Sequence, residues 1–392
     1  MKEVVIVAAK RTPLGAFGGG LSSFTAPELG AASILETIKV SGVKINDVQE
    51  VIMGNVLSAG IGQAPARQAA LKAGLSEKTP ATTVNKVCAS GMKAIMIAAG
   101  QIRLEEADII AAGGMESMSN VPYYLPKHRY GSKFGHVEAK DGIIQDGLWD
   151  IYNNFLMGNA AELCAKDCSI TREQQDEYAV TSYKRSLKAF EKGYFKDEII
   201  KMKVTDRKGN VTEVEKDEEL DKVHFEKFPT LKPVFDKGGT VTAANASSIN
   251  DGAAAVLVMS AEKAKDLGLT PLAKIIGQAS AAKAPEWFTT APADAIPIAL
   301  KRAGLTIEDI DLFEINEAFS VVSLINNQLL ELDPEKVNIH GGAVSLGHPL
   351  GCSGARIIVT LIHALKRTKG TYGCAAICNG GGGASSLVLQ ML

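Results

Sequence analysis

Apolar residues run almost unbroken through positions 3–9 (EVVIVAA), 107–114 (ADIIAAGG) and 252–259 (GAAAVLVM). A strand with one wet face alternates apolar and polar residues, so continuous runs of this length mark strands covered on both faces. Between them the pattern becomes helical. Residues 27–40 open on proline and close on Ser-Gly, and strand-like 50–55, helix-like 63–73, strand-like 81–87 and helix-like 91–104 follow before 107–114. Strands alternating with helices imply parallel pairing through helical crossovers, hence an α/β layered fold. The texture changes over 119–242, where Lys, Asp, Glu, Tyr and Pro are scattered around helices near 159–192. This segment reads as an insertion that covers something. Its charged run KVTDRKGNVTEVEKDEELDK is expected to be a solvated face. Layering resumes with strand 272–280, helix 293–303, strand 311–316, helix 317–331 and final strands near 373–378 and 385–391.

The two layered parts echo each other. EVIMGN, ending at Asn55, parallels DLFEIN, ending at Asn316, and CASGMKAIMIAA parallels CSGARIIVTLIHAL. From the asparagine to the next Ser-Gly is 35 positions in the first part (55 to 90) and 37 in the second (316 to 353). A duplicated α/β unit is expected, divided as 1–118 completed by 243–271, an insertion at 119–242, and 272–392. Corresponding strand ends of the two halves then converge on one crevice, where α/β folds bind their ligands.

Composition narrows the classes. With 46 % apolar and 22 % charged residues and a net charge of −2, the chain has no global attraction for nucleic acid or an anionic membrane. Its apolar runs fall short of a membrane span, and its start lacks secretion and transit signals, so a cytoplasmic protein is expected. Six cysteines without a CxxC pair, at 88, 164, 168, 352, 374 and 378, predict free thiols.

Four residues stand where chemistry is plausible. Cys88 precedes a predicted helix whose free N–H groups and dipole favour a thiolate, which predicts a lowered pKa. From position alone it is either a nucleophile or a packed thiol. His348, in SLGHPLGCSG, is held out of helical geometry by Pro349 and flanked by glycines, a setting for thiol activation or oxyanion donation. Asn316 either caps the following helix or fixes a group in the crevice. Cys378 leads into glycines 380–383, whose N–H groups can approach a substrate; no helix follows them to make a dinucleotide fingerprint. A nucleophilic thiol with a second, proton-carrying thiol suits reversible carbon–carbon cleavage of a thioester.

VNKVCASGMKAIMIAAGQI, NEAF, NIHGGAVSLGHPLGCSG and CNGGGGAS, in that order, resemble the signature blocks of the thiolase superfamily, and the likeness runs over 1–392. The resemblance implies two similar halves in a five-layer αβαβα sandwich with an inserted loop domain that binds coenzyme A. It implies an acylated Cys88, His348 as its activator, Cys378 as acid/base, Asn316 holding a water in one oxyanion site, and the amides of Cys88 and Gly380 forming the other. Leu148, Met157 and Ser247 match pantetheine contacts, Ala318 and Phe319 lie in the NEAF block, and Phe288 matches an acyl-pocket aromatic followed here by Thr289. Many short-chain members carry His where this chain has Leu156.

Within the superfamily the chain looks closest to acetoacetyl-CoA thiolases of the mitochondrial biosynthetic/ketolytic type. There a potassium ion is held at positions matching Tyr183, Ala243, Ala244, Ala246 and Val344. The implied ligands are acetyl-CoA, acetoacetyl-CoA and CoA, with no further cofactor, and the implied assembly is a homotetramer, a dimer of dimers. Thiolases of longer 3-ketoacyl-CoA chains, decarboxylating ketoacyl synthases and a non-catalytic acyl-CoA or lipid carrier are the alternatives. The first is separated by chain-length preference, the second by Cys378 and the third by turnover.

Overall fold

The computed structural model describes residues 2–206 and 208–392; Met1 and Arg207 lie outside the described residues. The first half contributes β1 (Val4–Arg11), α1 (Ala26–Ser41), β2 (Glu50–Gly54), α2 (Pro65–Lys72), β3 (Ala81–Val84), α3 (Ser90–Arg103) and β4 (Ile109–Ser117). Two helices follow, α4 (Met157–Asp167) and α5 (Arg172–Glu191), and then β5 (Asn250–Ser260). The second half adds β6 (Ala273–Ala282), α6 (Ala291–Ala303), β7 (Leu312–Ile315), α7 (Ser320–Leu329), α8 (Leu350–Thr368), β8 (Tyr372–Asn379) and β9 (Gly383–Met391). The helices expected near 159–192 are these two, α4 and α5. Thr171 starts the second with a capping box to Gln174, satisfying end groups that would otherwise be orphaned.

The main sheet has the order β7-β8-β9-β6-β1-β5-β4-β2-β3. Without the edge strand β3, each half reads alike: β2-β4-β5-β1 in the first and β7-β8-β9-β6 in the second. Within these matched sets of four strands, β2·β4 and β7·β8 pair parallel and each is followed by an antiparallel pair. The halves join where Val5 and Ile6 pair with Lys274 and Ala273.

Continuous apolar strands are explained by what lies on their two faces. On β5, Ala254, Val256 and Val258 pack inward with α3 and α8, whereas Ala253, Ala255, Leu257 and Met259 pack outward with α1 and α2. Strands β8 and β9 face the same inner helices through Ala375, Ile377, Leu387 and Leu389, and their outer side meets α6. The result is five layers with α3 and α8 in the middle. α8 is buried from Leu350 to Ile362 for that reason.

The N-terminal ends of α3 and α8 meet almost backbone to backbone. A Cβ on Gly91 would stand 2.8 Å from the Gly351 carbonyl oxygen, and one on Gly354 would stand 2.5 Å from the Met92 nitrogen. Glycine at these crossings brings the residues just ahead of both helices, Cys88 and His348, to the same place.

The charged run expected to be solvated divides. Its hairpin, Met202–Thr205 with Val211–Val214, is largely exposed. Asp217 and Glu219 are instead buried, Asp217 taking both terminal nitrogens of Arg11 at 2.7 and 2.9 Å while Glu198 takes Nε at 2.6 Å. A buried guanidinium requires such partners, and the run supplies one of them. Among the described residues no helix is long and apolar enough to cross a membrane, and no group of three or more metal-ligating side chains occurs.

Candidate active site

A cavity of about 530 Å3 opens between the inner helix ends, the start of α4 and the segment before β5. Cys88, His348 and Gly380 stand on its wall, together with Leu148, Leu156, Met157, Ser247, Phe288, Ala318 and Phe319. Most of the lining is apolar. Phe319 packs edge-on against both Phe288 and Phe235, with ring centroids 6.4 and 6.1 Å away. Ser247 directs its N–H and hydroxyl to the Ala318 carbonyl, at 3.1 and 2.8 Å, which ties the loop before β5 to the NEAF segment.

Cys88 lies half-buried two residues before α3, whose N-cap is Ala89. Its thiol is not acidified. Burial pushes its pKa up to about 11, with Glu116 adding to the rise and the backbone N–H groups of Gly380 and of Cys88 itself opposing it. The helix terminus expected to lower this pKa loses to desolvation, which penalises the thiolate more than two amide dipoles favour it.

His348 is held on three sides. Its backbone N–H donates to the Ser248 carbonyl and to Asn250 Oδ1, at 3.2 and 3.0 Å. Nδ1 lies 2.6 Å from Ser353 Oγ and 3.5 Å from Asn316 Nδ2. Because Ser353 Oγ already donates to the Pro349 carbonyl at 2.9 Å, the short contact is best satisfied with Nδ1 protonated, donating to that hydroxyl. Nε2 then carries a lone pair, is buried and has no protein partner. Burial, then the positive charge of Arg356, lowers the His348 pKa to about 3, so the free site holds a neutral imidazole beside a neutral thiol. Gly347, at φ +107°, permits this turn, since a Cβ there would stand 2.3 Å from the Asn250 side-chain oxygen.

Cys378 lies at the end of β8, 1 % exposed, behind the wall rather than on it, packed with Met157, Phe288 and Phe319. Burial and the proximity of Cys88 hold its thiol well above the usual range. Asn316, fully buried at the end of β7, receives no bond on Oδ1.

The four glycines after Asn379 have separate reasons. Gly381 and Gly382 sit at φ +83° and +81°, and Gly382 presses on the Lys283 carbonyl, where a Cβ would approach to 2.2 Å. Gly380 has room: its Cβ would meet only Met157 Sδ at 3.4 Å and Val87 at 3.5 Å, on the cavity side.

The sequence reading passed over Ser353, Asn250 and Glu116. Ser353 was visible as the serine five places after the histidine. Glu116 gave no local signal beyond an acid at the end of an apolar strand.

Tyr183, Ala244 and Val344 pack together, and Ala243 and Ala246 lie on the cavity wall. Among the described residues the carbonyls of Ala243, Ala244 and Ala246 accept no hydrogen bond. Bare carbonyl oxygens are the donor set of a hard cation, so the residues present fit potassium.

A duplicated layered α/β fold with a thiol, an imidazole and a second thiol gathered at its inner helix ends defines a thiol-dependent acyl-transfer protein. Family models for the thiolase N-terminal domain match residues 4–262 and for the thiolase C-terminal domain residues 269–391, and the chain belongs to the thiolase family. It is 57 % identical to acetyl-CoA acetyltransferase 2 of Arabidopsis thaliana, over 100 % of this chain and 98 % of that one. It is 55 % identical to the mitochondrial acetyl-CoA acetyltransferase of Bos taurus, over 100 % and 92 %. Its structure is similar to that of the Bacillus anthracis acetyl-CoA acetyltransferase (TM-score 0.98, 44 % identity, 100 % and 99 % covered). It also resembles the Acat5 thiolase of Ascaris suum in complex with coenzyme A (TM-score 0.95, 45 % identity, both chains fully covered).

Proposed function

We propose that this chain is an acetyl-CoA acetyltransferase that condenses two acetyl-CoA into acetoacetyl-CoA and free CoA through an acetyl group carried on Cys88. The observation that carries the reading is one cavity wall that bears Cys88, the Gly380 backbone and His348, whose Nε2 has no protein partner.

The neutral Cys88 thiol passes its proton to His348 Nε2 as its sulfur bonds to the thioester carbon. This needs no standing charge in an apolar site. The oxyanion that forms lies against the two N–H groups nearest the attacked carbon, donors fixed before the reaction begins. Collapse expels CoA, which takes its proton from Cys378 and leaves acetyl-Cys88 beside a protonated His348. The Cys378 thiolate then takes a proton from the methyl carbon of the second acetyl-CoA. His348 Nε2 donates to the enolate oxygen, against which Asn316 would hold a water. The carbanion attacks acetyl-Cys88, acetoacetyl-CoA leaves, and the Cys88 thiol is restored with the proton held by His348, while Cys378 keeps the one it took.

The apolar walls at Leu148, Leu156, Met157 and Phe235 suit the pantetheine arm, and Phe288 with Phe319 closes the acyl end. Tyr183, Ala243, Ala244, Ala246 and Val344 would hold potassium, whose charge would stiffen the loop carrying Ser247. Assembly as a homotetramer is favoured by the half-buried edge strand β3 and by the exposed Tyr123, Leu125, Tyr130 and Phe134. Light scattering in solution tests it. The activity itself is tested by acetyl exchange between acetyl-CoA and free CoA, which requires an acyl-enzyme; binding of CoA without exchange would favour a carrier instead. A chain-length series with preference beyond four carbons would favour the longer-chain reading.

A further inference from the structure

The repeated strand order allows the two halves to be compared residue by residue. Gly54 pairs with Gly114 in the first half and Ile315 with Ala376 in the second, each pair lying one residue before the matched asparagines Asn55 and Asn316. Two residues beyond Gly114 is Glu116; two beyond Ala376 is Cys378. The matched Ser-Gly pairs 90–91 and 353–354 likewise set Gly351 opposite Cys88 and Asn85 opposite His348. The fold therefore contains a second strand-end constellation, Asn55, Glu116, Gly351 and Asn85, built like the first and lacking its thiols and imidazole.

That second constellation is plugged. Glu116 is fully buried, and its two oxygens accept from Asn55 Nδ2 at 2.7 Å, Leu57 N at 3.1 Å, Val56 N at 3.1 Å and Gly351 N at 2.8 Å. Gly351 is pressed onto it, since a Cβ there would stand 2.9 Å from Glu116 Oε2 and 2.7 Å from the Met115 carbonyl. Gly351 comes three residues after His348, and its neighbour Leu350 lines the cavity, as does Met118 two residues after Glu116. Val56 and Leu57 pack against Leu350, Met118 and Cys88.

We propose that Glu116 is a positioning residue: from the place that Cys378 holds in the other half, its carboxylate pins the N-terminus of α8 and the segment after β2, and so holds the His348 turn in register with Cys88. Four donors converge on one carboxylate from two separate chain segments, which is more than burial of a strand end requires. In the other half the same position is left to a thiol that accepts none of these bonds. The fold has kept one copy of the constellation for chemistry and turned the other into its brace.

The inference rests on the proposed acyl transfer, so the experiment begins with unmodified protein. Acetyl-CoA is added in a single turnover and acetyl-Cys88 is followed by mass spectrometry; absence of the adduct there defeats the acyl-transfer reading itself. Glu116→Gln, nearly isosteric, puts an N–H group among N–H donors and breaks half of the clamp. Its acetylation rate constant and kcat are expected to fall about 30-fold, within the range that a displacement near 1 Å produces, with KM for acetyl-CoA within about threefold. Should Glu116→Gln not fold, Asn55→Ala deletes one of the four donors and is expected to slow acetylation about threefold at unchanged KM. Unmodified protein that acetylates beside a folded variant that acetylates as fast, or a variant whose defect lies wholly in KM, overturns the positioning role.

Discussion

The two strand-end constellations share a backbone and one asparagine and differ in three side chains, and that difference separates packing from chemistry. At Glu116 every carboxylate lone pair is engaged and no cavity wall is formed by the residue. At the matched position Cys378 is also buried, yet it adjoins an open cavity and a second sulfur. One site spends its carboxylate on holding helix α8, and Asn55 Oδ1 there has no protein partner, like Oδ1 of the matched Asn316. The other differs in leaving Nε2 of His348, on the cavity wall, without a protein partner. Buried polar atoms left unpaired cost stability, about 1–3 kcal/mol each, and they persist where a substrate supplies the missing partner.

The comparison can be broken most severely at Cys88, whose counterpart is Gly351. Cys88→Ala should abolish acetyl exchange, a loss on the order of 10⁴-fold or more, because no other group on the cavity wall can form the thioester. Activity within tenfold of the unmodified protein would place the chemistry elsewhere. Cys378→Ala separates the half-reactions: condensation should fall about 10³-fold while Cys88 still becomes acetylated. Retained condensation removes the proton-carrying role and leaves Cys378 as buried as Glu116 and no more active.

Protonation gives the next test. With its pKa near 11, Cys88 stays a thiol at neutral pH. Raising the pH ionises it, so alkylation by iodoacetamide in the absence of substrate should quicken about tenfold per pH unit between 7 and 10. The same sign holds for stability. A thiol whose pKa is raised on folding favours the folded state below its unfolded value, about 8.5, and this contribution is lost as pH rises toward 11. A rate plateau already present at pH 7 would instead mean a preformed thiolate.

A smaller effect is expected at Gly380, where the backbone does not require glycine. Gly380→Ala should fold with a melting temperature within about 2 °C of the unmodified protein, since its methyl meets only ordinary contacts. The same methyl projects beside the oxyanion donors, and kcat should fall about tenfold. Unchanged kcat would mean that the substrate oxygen lies elsewhere. Smallest of all, replacing potassium by sodium should raise KM two- to fivefold, through the loop carrying Ser247, and leave the rate of Cys88 acetylation at saturation unchanged; equal KM in both salts would remove the ion.

Much of this was legible because its signals are local. Continuous apolar runs identified the doubly covered strands, and four short blocks identified the chemistry-bearing residues. The protonation state of Cys88 was not legible. A helix N-terminus can be read from a sequence, whereas desolvation depends on walls such as Leu350, Met118 and Phe319 that come from distant segments. Helices were expected near 159–192, but not where one ends and the next begins, because Cys168–Thr171 carries no proline or glycine; the cap at Thr171 appears only when its bond to Gln174 is seen. Asp217 looked like one charge in a solvated run, and only Arg11, 206 positions away, makes it interior. Glu116 was least visible, since matching the blocks by texture leaves their register open and the pairing of β2 with β4 supplies it.

The most direct measurement is peptide-level mass spectrometry of Cys378→Ala after brief exposure to acetyl-CoA. A single acetyl group accumulating on the peptide that carries Cys88, with little acetoacetyl-CoA formed, is the predicted result. An acetyl group found on another residue, or normal condensation with Cys88 unmodified, would contradict a mechanism that divides nucleophile and proton carrier between these two sulfurs.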